Sequence, residues 1–429
     1  MPRPARPRES PARAFERKHA GCWPVGHLAG WRGPSGFSSR STAREVLKGA
    51  GLEALRGRVA VVTGANSGVG FETARALALG GAEAVILACR DPVAGAEAAR
   101  AIQDEAAAEF AAASHAPDAS SPEREKCHSP CRVSCLRVDL ESFASVAAFA
   151  DAFKALNLPL HLLVHNAGLM PAPFKRTRDG HERHMQVNVL APVLLTRLLL
   201  GASRGENENE NVENVFTKKN PPPPRDRIDT SAARVVFVTS AAHRFSYREG
   251  VRFGTEHNTD THATTPATHD PWRAYAESKL CVVLIARLFA VACEASREPT
   301  ERRLFFFAAH PGAIVTRGSE RARLESGGWR GAVLHAVGRP FLKTAEAGAA
   351  SVAFCCVATE KTLENGAYVA NCQAARPSRL AERDVELARR ACRFALKETN
   401  VFPTTRADAF AEQLANGTYG DARRFESRP

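Results

Sequence analysis

From Arg58 to about Thr359 the chain alternates short apolar runs with longer stretches of helical composition. The runs at 58–63, 84–89, 134–138, 160–164, 234–239 and 304–309 are rich in Val, Leu, Ile, Phe and Ala and lack a strict apolar/polar alternation. A strand with one wet face alternates, whereas a run without alternation is expected where helices cover both faces of a parallel sheet. Strands and helices taking turns in this way predict an α/β fold, a doubly wound (Rossmann-type) parallel sheet of seven strands. No second glycine-rich start interrupts the series, so residues 55–400 read as one domain.

The chain's extra length sits in segments without apolar periodicity. Residues 111–129 are Ala, Ser, Pro and charge; 205–230 carry alternating Glu and Asn and then Pro221 to Pro224; 255–271 are rich in Thr and His. Such composition cannot bury enough apolar surface to offset the entropy of ordering, so all three read as insertions. Residues 1–50 read as a disordered basic leader and 401–429 as a tail. Every motif below lies after Leu52, so the leader is expected to be dispensable for folding and chemistry.

The first apolar run ends in a glycine-rich turn, Gly64, Asn66, Ser67, Gly68, Val69 and Gly70, followed by helical composition from Phe71 to Leu79. Strand, glycine turn and helix N-terminus form a pyrophosphate cradle, because close backbone approach and free N–H groups at the positive helix end suit an anion. The spacing is Gly-x-x-x-Gly-x-Gly instead of the commoner Gly-x-Gly-x-x-Gly. Far downstream, Tyr275 and Lys279 stand four apart, which puts them on one helix face. A phenol titrates near pH ~10 in water, and an adjacent ammonium draws it towards working pH, as general acid–base chemistry requires.

With these motifs in this order the chain resembles the short-chain dehydrogenase/reductase superfamily over about residues 55–400. Further matches are Asp139 and Leu140 after the third run, Asn166, Ala167 and Gly168 after the fourth, and Asn188 in a helix beginning near Asp179. Ser240 closes the fifth run, and Pro311, Gly312, Ile314 and Thr316 follow the sixth. Wording such as Ala88 to Asp91, Thr177 to Gly180, His310 to Gly312 and Asn365 to Tyr368 looks most like the retinol dehydrogenase branch. His165 departs from the family's first Asn, and Val189 to Pro192 departs from the usual segment after the helix Asn.

The resemblance implies a hydride exchange between a nicotinamide and the carbonyl or alcohol of a small apolar molecule, retinal-like or another lipid aldehyde or ketone. Tyr275 is then the proton donor and acceptor, Ser240 the partner of the substrate oxygen, and Lys279 the group that lowers the Tyr275 pKa and holds the nicotinamide ribose. Asn188 is expected to hold a water linking Lys279 to solvent, Asp139 to meet the adenine and Asn166 the adenine-side ribose. Arg90 ends the second run where a cation suits the extra phosphate of NADP, so NADP is expected in preference to NAD. Asp91 beside it either reads the ribose or caps the next helix. Two other readings stay open: a redox-sensing NADP-binding interaction protein of the chloroplast import type, and a protochlorophyllide-reductase-like enzyme.

Charge changes little in this picture. Residues 1–44 hold nine Lys and Arg against two acids, so +7 of the net +12 lies in the leader. The remaining +5 is spread over the body without aromatic–basic interleaving, which argues against a nucleic-acid partner. An Arg-, Ser- and Pro-rich leader without an apolar core has transit-peptide composition, chloroplast before mitochondrion; a mere disordered extension would leave the chain cytoplasmic. No run reaches the ~18 apolar residues of a spanning helix. Residues 190–200 and 281–290 are expected in the core or in a homo-oligomer interface, and 329–341 as a lid or a peripheral membrane contact. Eleven cysteines, an odd number, read as reduced thiols. Cys127, Cys131 and Cys135 read as incidental, His243, His257, His262 and His269 as solvated loop residues, and no metal ligand set is expected.

Overall fold

The computed structural model describes residues 32–51, 54–114, 129–201, 233–253, 266–295, 303–314 and 342–399. The elements run α1 (Ala43–Ala50), β1 (Val59–Thr63), α2 (Gly68–Leu79), β2 (Ala84–Cys89), α3 (Pro92–Ser114), β3 (Arg132–Arg137), α4 (Phe143–Ala155) and β4 (Leu162–His165). After β4 come a short α5 (Arg183–Met185), a π-helical turn (Gln186–Leu190), α6 (Ala191–Gly201), β5 (Arg234–Val238), a 3₁₀ turn (Ala241–Phe245) and α7 (Pro271–Ala295). The chain closes with β6 (Phe305–His310), α8 (Ala345–Val357), β7 (Tyr368–Ala370), β8 (Gln373–Ala374), α9 (Arg379–Arg383) and α10 (Val385–Glu398).

The strands form one sheet in the order β3-β2-β1-β4-β5-β6-β7-β8. The first seven in this order pair in parallel, and β8 pairs antiparallel with β7. Chain order reverses between β1 and β4, which opens a crevice beyond the carboxyl ends of those strands. The strands inside the two edges feed both faces: Val59 and Val61 enter one apolar core with α4, α6 and α7, while Ala60 and Val62 enter the other with α1, α2 and α8. Both faces are therefore dry, which explains the absence of alternation in the sequence.

The sheet has eight strands where seven were expected. The extra strand is two residues long, and its hairpin turn is Asn371 and Cys372, both in the left-handed region at φ 52° and 59°. Two successive positive-φ residues match the sense of twist that a two-residue hairpin needs. So short a strand leaves no hydrophobic period to read.

The folded body also begins earlier than residue 51. Thr42 and Glu45 form a reciprocal capping box on α1, and Ala43, Val46 and Leu47 are buried against α2 and α8. Residues 32–50, expected in the leader, are thus part of the folded body, residues 1–31 lie outside the described residues, and a chain beginning at Gly51 would lose part of its core. Likewise α3 runs on to Ser114, so 111–114 are helix; residues 115–128, the 205–230 insertion, 254–265, 329–341 and 401–429 lie outside the described residues.

Both apolar helical runs lie in the core. Arg197 in α6 is buried and donates to Thr399 Oγ1 at 2.7 Å, and Arg287 in α7 is buried near the Glu382 carbonyl. Among the described residues no helix is long and apolar enough to cross a membrane, and nine cysteines are free thiols.

Candidate functional site

The strand ends and the loops after them line a cavity of about 1340 Å³ at the point where the sheet order reverses. Its floor is the glycine turn. Gly64 has φ 65°, and a Cβ there would sit 3.0 Å from the Cα and Cβ of Ala167. At Gly70 a Cβ would meet Asn166 Nδ2 at 2.3 Å and the Gly64 carbonyl oxygen at 2.4 Å. The two loops therefore touch only because these positions carry no side chain. Asn166 Nδ2 donates to the Thr63 and Gly64 carbonyls, and the Ala167 amide donates to Thr63 Oγ1 at 3.0 Å. Ser67 precedes α2 without a side-chain cap, so no side chain covers the first amides of the helix. A pyrophosphate fits this cradle. Asn66, Ser67, Gly68, Val69 and Gly168 complete this wall, although Asn166 spends its side-chain N–H on the turn as well as facing the cavity.

The next wall comes from the ends of β2 and β3. Asp91 Oδ1 accepts from the Val93 and Ala94 amides, so Asp91 caps α3. Arg90 is 69 % exposed and approaches Glu141 at 3.6 Å, while Glu141 is already held by Arg183 at 2.6 Å. Arg90 is thus free to turn towards a ligand phosphate at the cavity wall. Asp139 and Leu140 line the same side, with the Asp139 carboxylate accepting from the Glu141 amide.

The opposite end holds the candidate acid–base group. Tyr275 on the first turns of α7 is 7 % exposed, with its phenol beside Ser240, which follows β5 and accepts from the Ala242 amide at 3.2 Å. Burial pushes the Tyr275 phenol up, opposed by Ser240 and not by Lys279, so the downward shift expected from the Lys279 ammonium does not appear at rest. Lys279 Nζ lies 5.9 Å from the Tyr275 ring centroid and donates to the Val238 carbonyl at 2.9 Å. Burial lowers its ammonium to about 8.

Asn188 sits in the π-helical turn, where an extra residue changes the side-chain bearing relative to a plain α-helix. Its Oδ1 accepts from the Leu169 amide at 2.7 Å, and its Nδ2 donates to the Leu169 carbonyl and to Ser278 Oγ at 2.8 Å. These bonds pin the loop after β4 against α7. A Cβ on Gly168 would stand 3.1 Å from Lys279 Nζ and 3.2 Å from Asn188 Oδ1, so the two side chains converge there. Pro311, Gly312 and Ile314 close the side after β6, and Thr316 lies outside the described residues.

Several residues in the lining or just behind it carry no motif signal. Thr63 and Thr239 tie the turn and α7 to the sheet, Thr239 Oγ1 donating to the Lys279 carbonyl at 2.9 Å. Met170 and Trp272 line the cavity and are large hydrophobic side chains left exposed, at 40 % and 66 %. Trp272 stands one turn before Tyr275, a position that could have been inspected. The histidines correct an expectation: His243 is buried, bonded to the Ser240 carbonyl and accepting from the Ser378 amide, and burial lowers it to about 4. The His269 side chain is 3 % exposed, while His257 and His262 lie outside the described residues. His165, the departure from the family's Asn, packs on Phe237 and hydrogen-bonds Thr196 at 2.7 Å.

Comparison with known proteins gives a consistent picture. A family model described as short chain dehydrogenase matches residues 95–208. The chain is 31 % identical over 351 residues to the WW domain-containing oxidoreductase of Gallus gallus, covering 81 % of this chain and 69 % of that protein. It is 34 % identical over 339 residues to the polyprenol dehydrogenase of Mus musculus, covering 78 % and 81 %. It is also 29 % identical over 382 residues to "Short-chain dehydrogenase TIC 32 A, chloroplastic" of Brassica napus, covering 88 % and 99 %. A solved structure of an uncharacterized protein from Mycobacterium paratuberculosis superposes with a TM-score of 0.52 at 25 % identity, covering 80 % and 94 %.

Proposed function

Because the chain belongs to the short-chain dehydrogenase/reductase superfamily and is therefore an oxidoreductase, we propose that it exchanges a hydride between NADP and an apolar carbonyl compound or its alcohol. The observation that carries this reading is one cavity with Ser240, Tyr275 and Lys279 at one end and an uncapped helix with Arg90 at the other. When bound, the nicotinamide supplies or accepts the hydride. Everything else falls to the chain's own side chains.

The glycine turn and the start of α2 would hold the pyrophosphate, and Arg90 would meet the 2′-phosphate, since Asp91 is committed to capping α3. Asp139, Leu140 and Asn166 would flank the adenosine, and Pro311, Gly312 and Ile314 the nicotinamide. Ser240 hydrogen-bonds the substrate oxygen and shares the charge that develops on it. Tyr275 gives its proton to that oxygen in reduction and takes it back in oxidation. Lys279 carries an ammonium below about pH 8, which steadies the phenolate left behind. Asn188 acts one step away, holding Leu169 and Ser278 so that the cavity wall and α7 keep their spacing.

Met170 and Trp272 favour an apolar substrate, because exposed large side chains at a cavity repay only a ligand that removes them from water. This fits the retinol dehydrogenase-like wording and the likeness to a polyprenol dehydrogenase. The basic leader together with the chloroplastic relative supports a chloroplast location. The test is a screen of purified protein with NADPH and NADH against apolar aldehydes and ketones. Consumption of NADPH with an apolar carbonyl supports the proposal; tight NADPH binding with no turnover on any member favours the interaction-protein reading.

A further inference from the structure

Outside the acid–base group, Glu182, His184 and His269 bring three donor atoms within 4.8 Å of one another. Glu182 Oε1 stands 2.7 Å from His184 Nδ1 and 3.6 Å from His269 Nε2. With an ion ~2.1 Å from each donor, tetrahedral geometry puts donors about 3.4 Å apart. The two observed separations lie on either side of that value. The imidazole rings lie nearly parallel, 5.9 Å apart, and Phe174 packs edge-on against His269.

Two features suit a cation, and the surroundings of His184 can accommodate one. His269 Nε2 is buried with no hydrogen-bond partner among the described residues, Glu182 Oε1 standing 3.6 Å away. A buried ring nitrogen left unpaired costs stability unless something fills the place. His184 is fully buried, and its Nε2 lies 3.1 Å from the Met170 carbonyl. The Ala172 amide donates to the same nitrogen at 3.2 Å, so an ion at Nδ1 requires the ring hydrogen to move to Nε2, where the Met170 carbonyl accepts it in place of that bond. Finally, Glu182 Oε2 is fixed by the Met185 amide at 2.9 Å, which keeps Oε1 aimed at the two rings.

We infer that Glu182, His184 and His269 form a binding site for a zinc-class divalent cation, with a fourth position left for water. Two imidazoles and one carboxylate are a borderline-soft set, which favours zinc over magnesium. The ion would act as a clamp. His269 immediately precedes α7, whose first turn carries Trp272, and His184 is bonded to the segment carrying Met170. One ion would thus tie together the two exposed apolar walls of the cavity.

The test uses the full chain, stripped with a chelator and titrated with zinc against a chromophoric competitor under reducing conditions. Wild type should bind one equivalent more than His269→Gln, and Cys131→Ser should bind as wild type does. Saturating zinc should raise Tm of wild type on the order of 5 °C and leave His269→Gln unmoved. Magnesium should do neither. His269→Gln removes a ring at the edge of the fold; should it fail to fold, Glu182→Gln carries the same comparison. Equal zinc stoichiometry and equal Tm shifts in wild type and either folded variant would overturn the site. None of these readouts depends on turnover, so the proposed reaction and the metal site fail separately.

Discussion

Replacing Arg90 with Ala separates cofactor recognition from folding more cleanly than any other change in the cavity. The side chain is 69 % exposed, and Glu141, its one ion-pair partner among the described residues, keeps Arg183 at 2.6 Å when Arg90 is gone. An exposed ion pair at 3.6 Å is worth at most about 1 kcal/mol, so the variant should fold with an almost unchanged midpoint. The contact it removes is a charge-assisted bond to the 2′-phosphate, worth roughly 1.5–3 kcal/mol, or about ten- to a hundredfold in Kd. NADH lacks that phosphate and should bind the variant as it binds wild type. Fluorescence titration of both cofactors at low and high salt measures the difference directly. The wild-type preference for NADPH should shrink as salt rises, because the contact is exposed. Equal losses for NADPH and NADH, or no loss for either, would refute the assignment of Arg90.

Three further outcomes follow from single features. Gly70→Ala places a Cβ 2.4 Å from the Gly64 carbonyl and 2.3 Å from Asn166, so calorimetry should show a loss of roughly 1–3 kcal/mol and cofactor titration a collapse in affinity. A chain starting at residue 52 loses buried Val46 and Leu47, at roughly 1.5–3 kcal/mol each, which a denaturant midpoint will register; a chain starting at residue 32 keeps both. Glu277 is buried and its carboxyl is raised to about 8 by burial. Its folded value exceeds its unfolded one, so its contribution is complete below the ordinary carboxylate range and is lost as pH rises through about 8. Glu277→Gln should therefore lose less stability than wild type between pH 5 and 8, by up to a few kcal/mol in parallel urea titrations.

The parts of the site that were legible in the sequence are those where chemistry forces the residue type. A glycine turn that must touch the next loop shows as Gly64 and Gly70, and an acid–base pair on one helix face shows as Tyr275 and Lys279. Dry strands show as unbroken apolar runs at β1, β2, β4, β5 and β6, whereas the edge strand β3 is half exposed and carries Ser134 and Arg137 within its run. What escaped was set by tertiary context. The β8 strand is two residues long and rests on the backbone of Asn371 and Cys372, not on any pattern. The helix α1 did carry a local signal, Thr42 and Glu45 at capping-box spacing, but the surrounding basic composition hid it. His243 and His269 stand near a polar insertion and read as wet; only the folded chain shows them buried. The bearing of Asn188 depends on one extra residue in a π-helical turn, which no spacing rule reveals.

The central claim is that Tyr275 passes the proton while other groups hold the cofactor. Its most direct test is Tyr275→Phe, assayed for NADPH oxidation with an apolar aldehyde and, separately, for NADPH affinity. The lost hydroxyl leaves Ser240 still bonded to the Ala242 amide, so the fold should tolerate the change. Turnover should fall by on the order of 10²–10⁴, with the NADPH Kd within about twofold of wild type. Near-normal turnover in the variant would contradict the account.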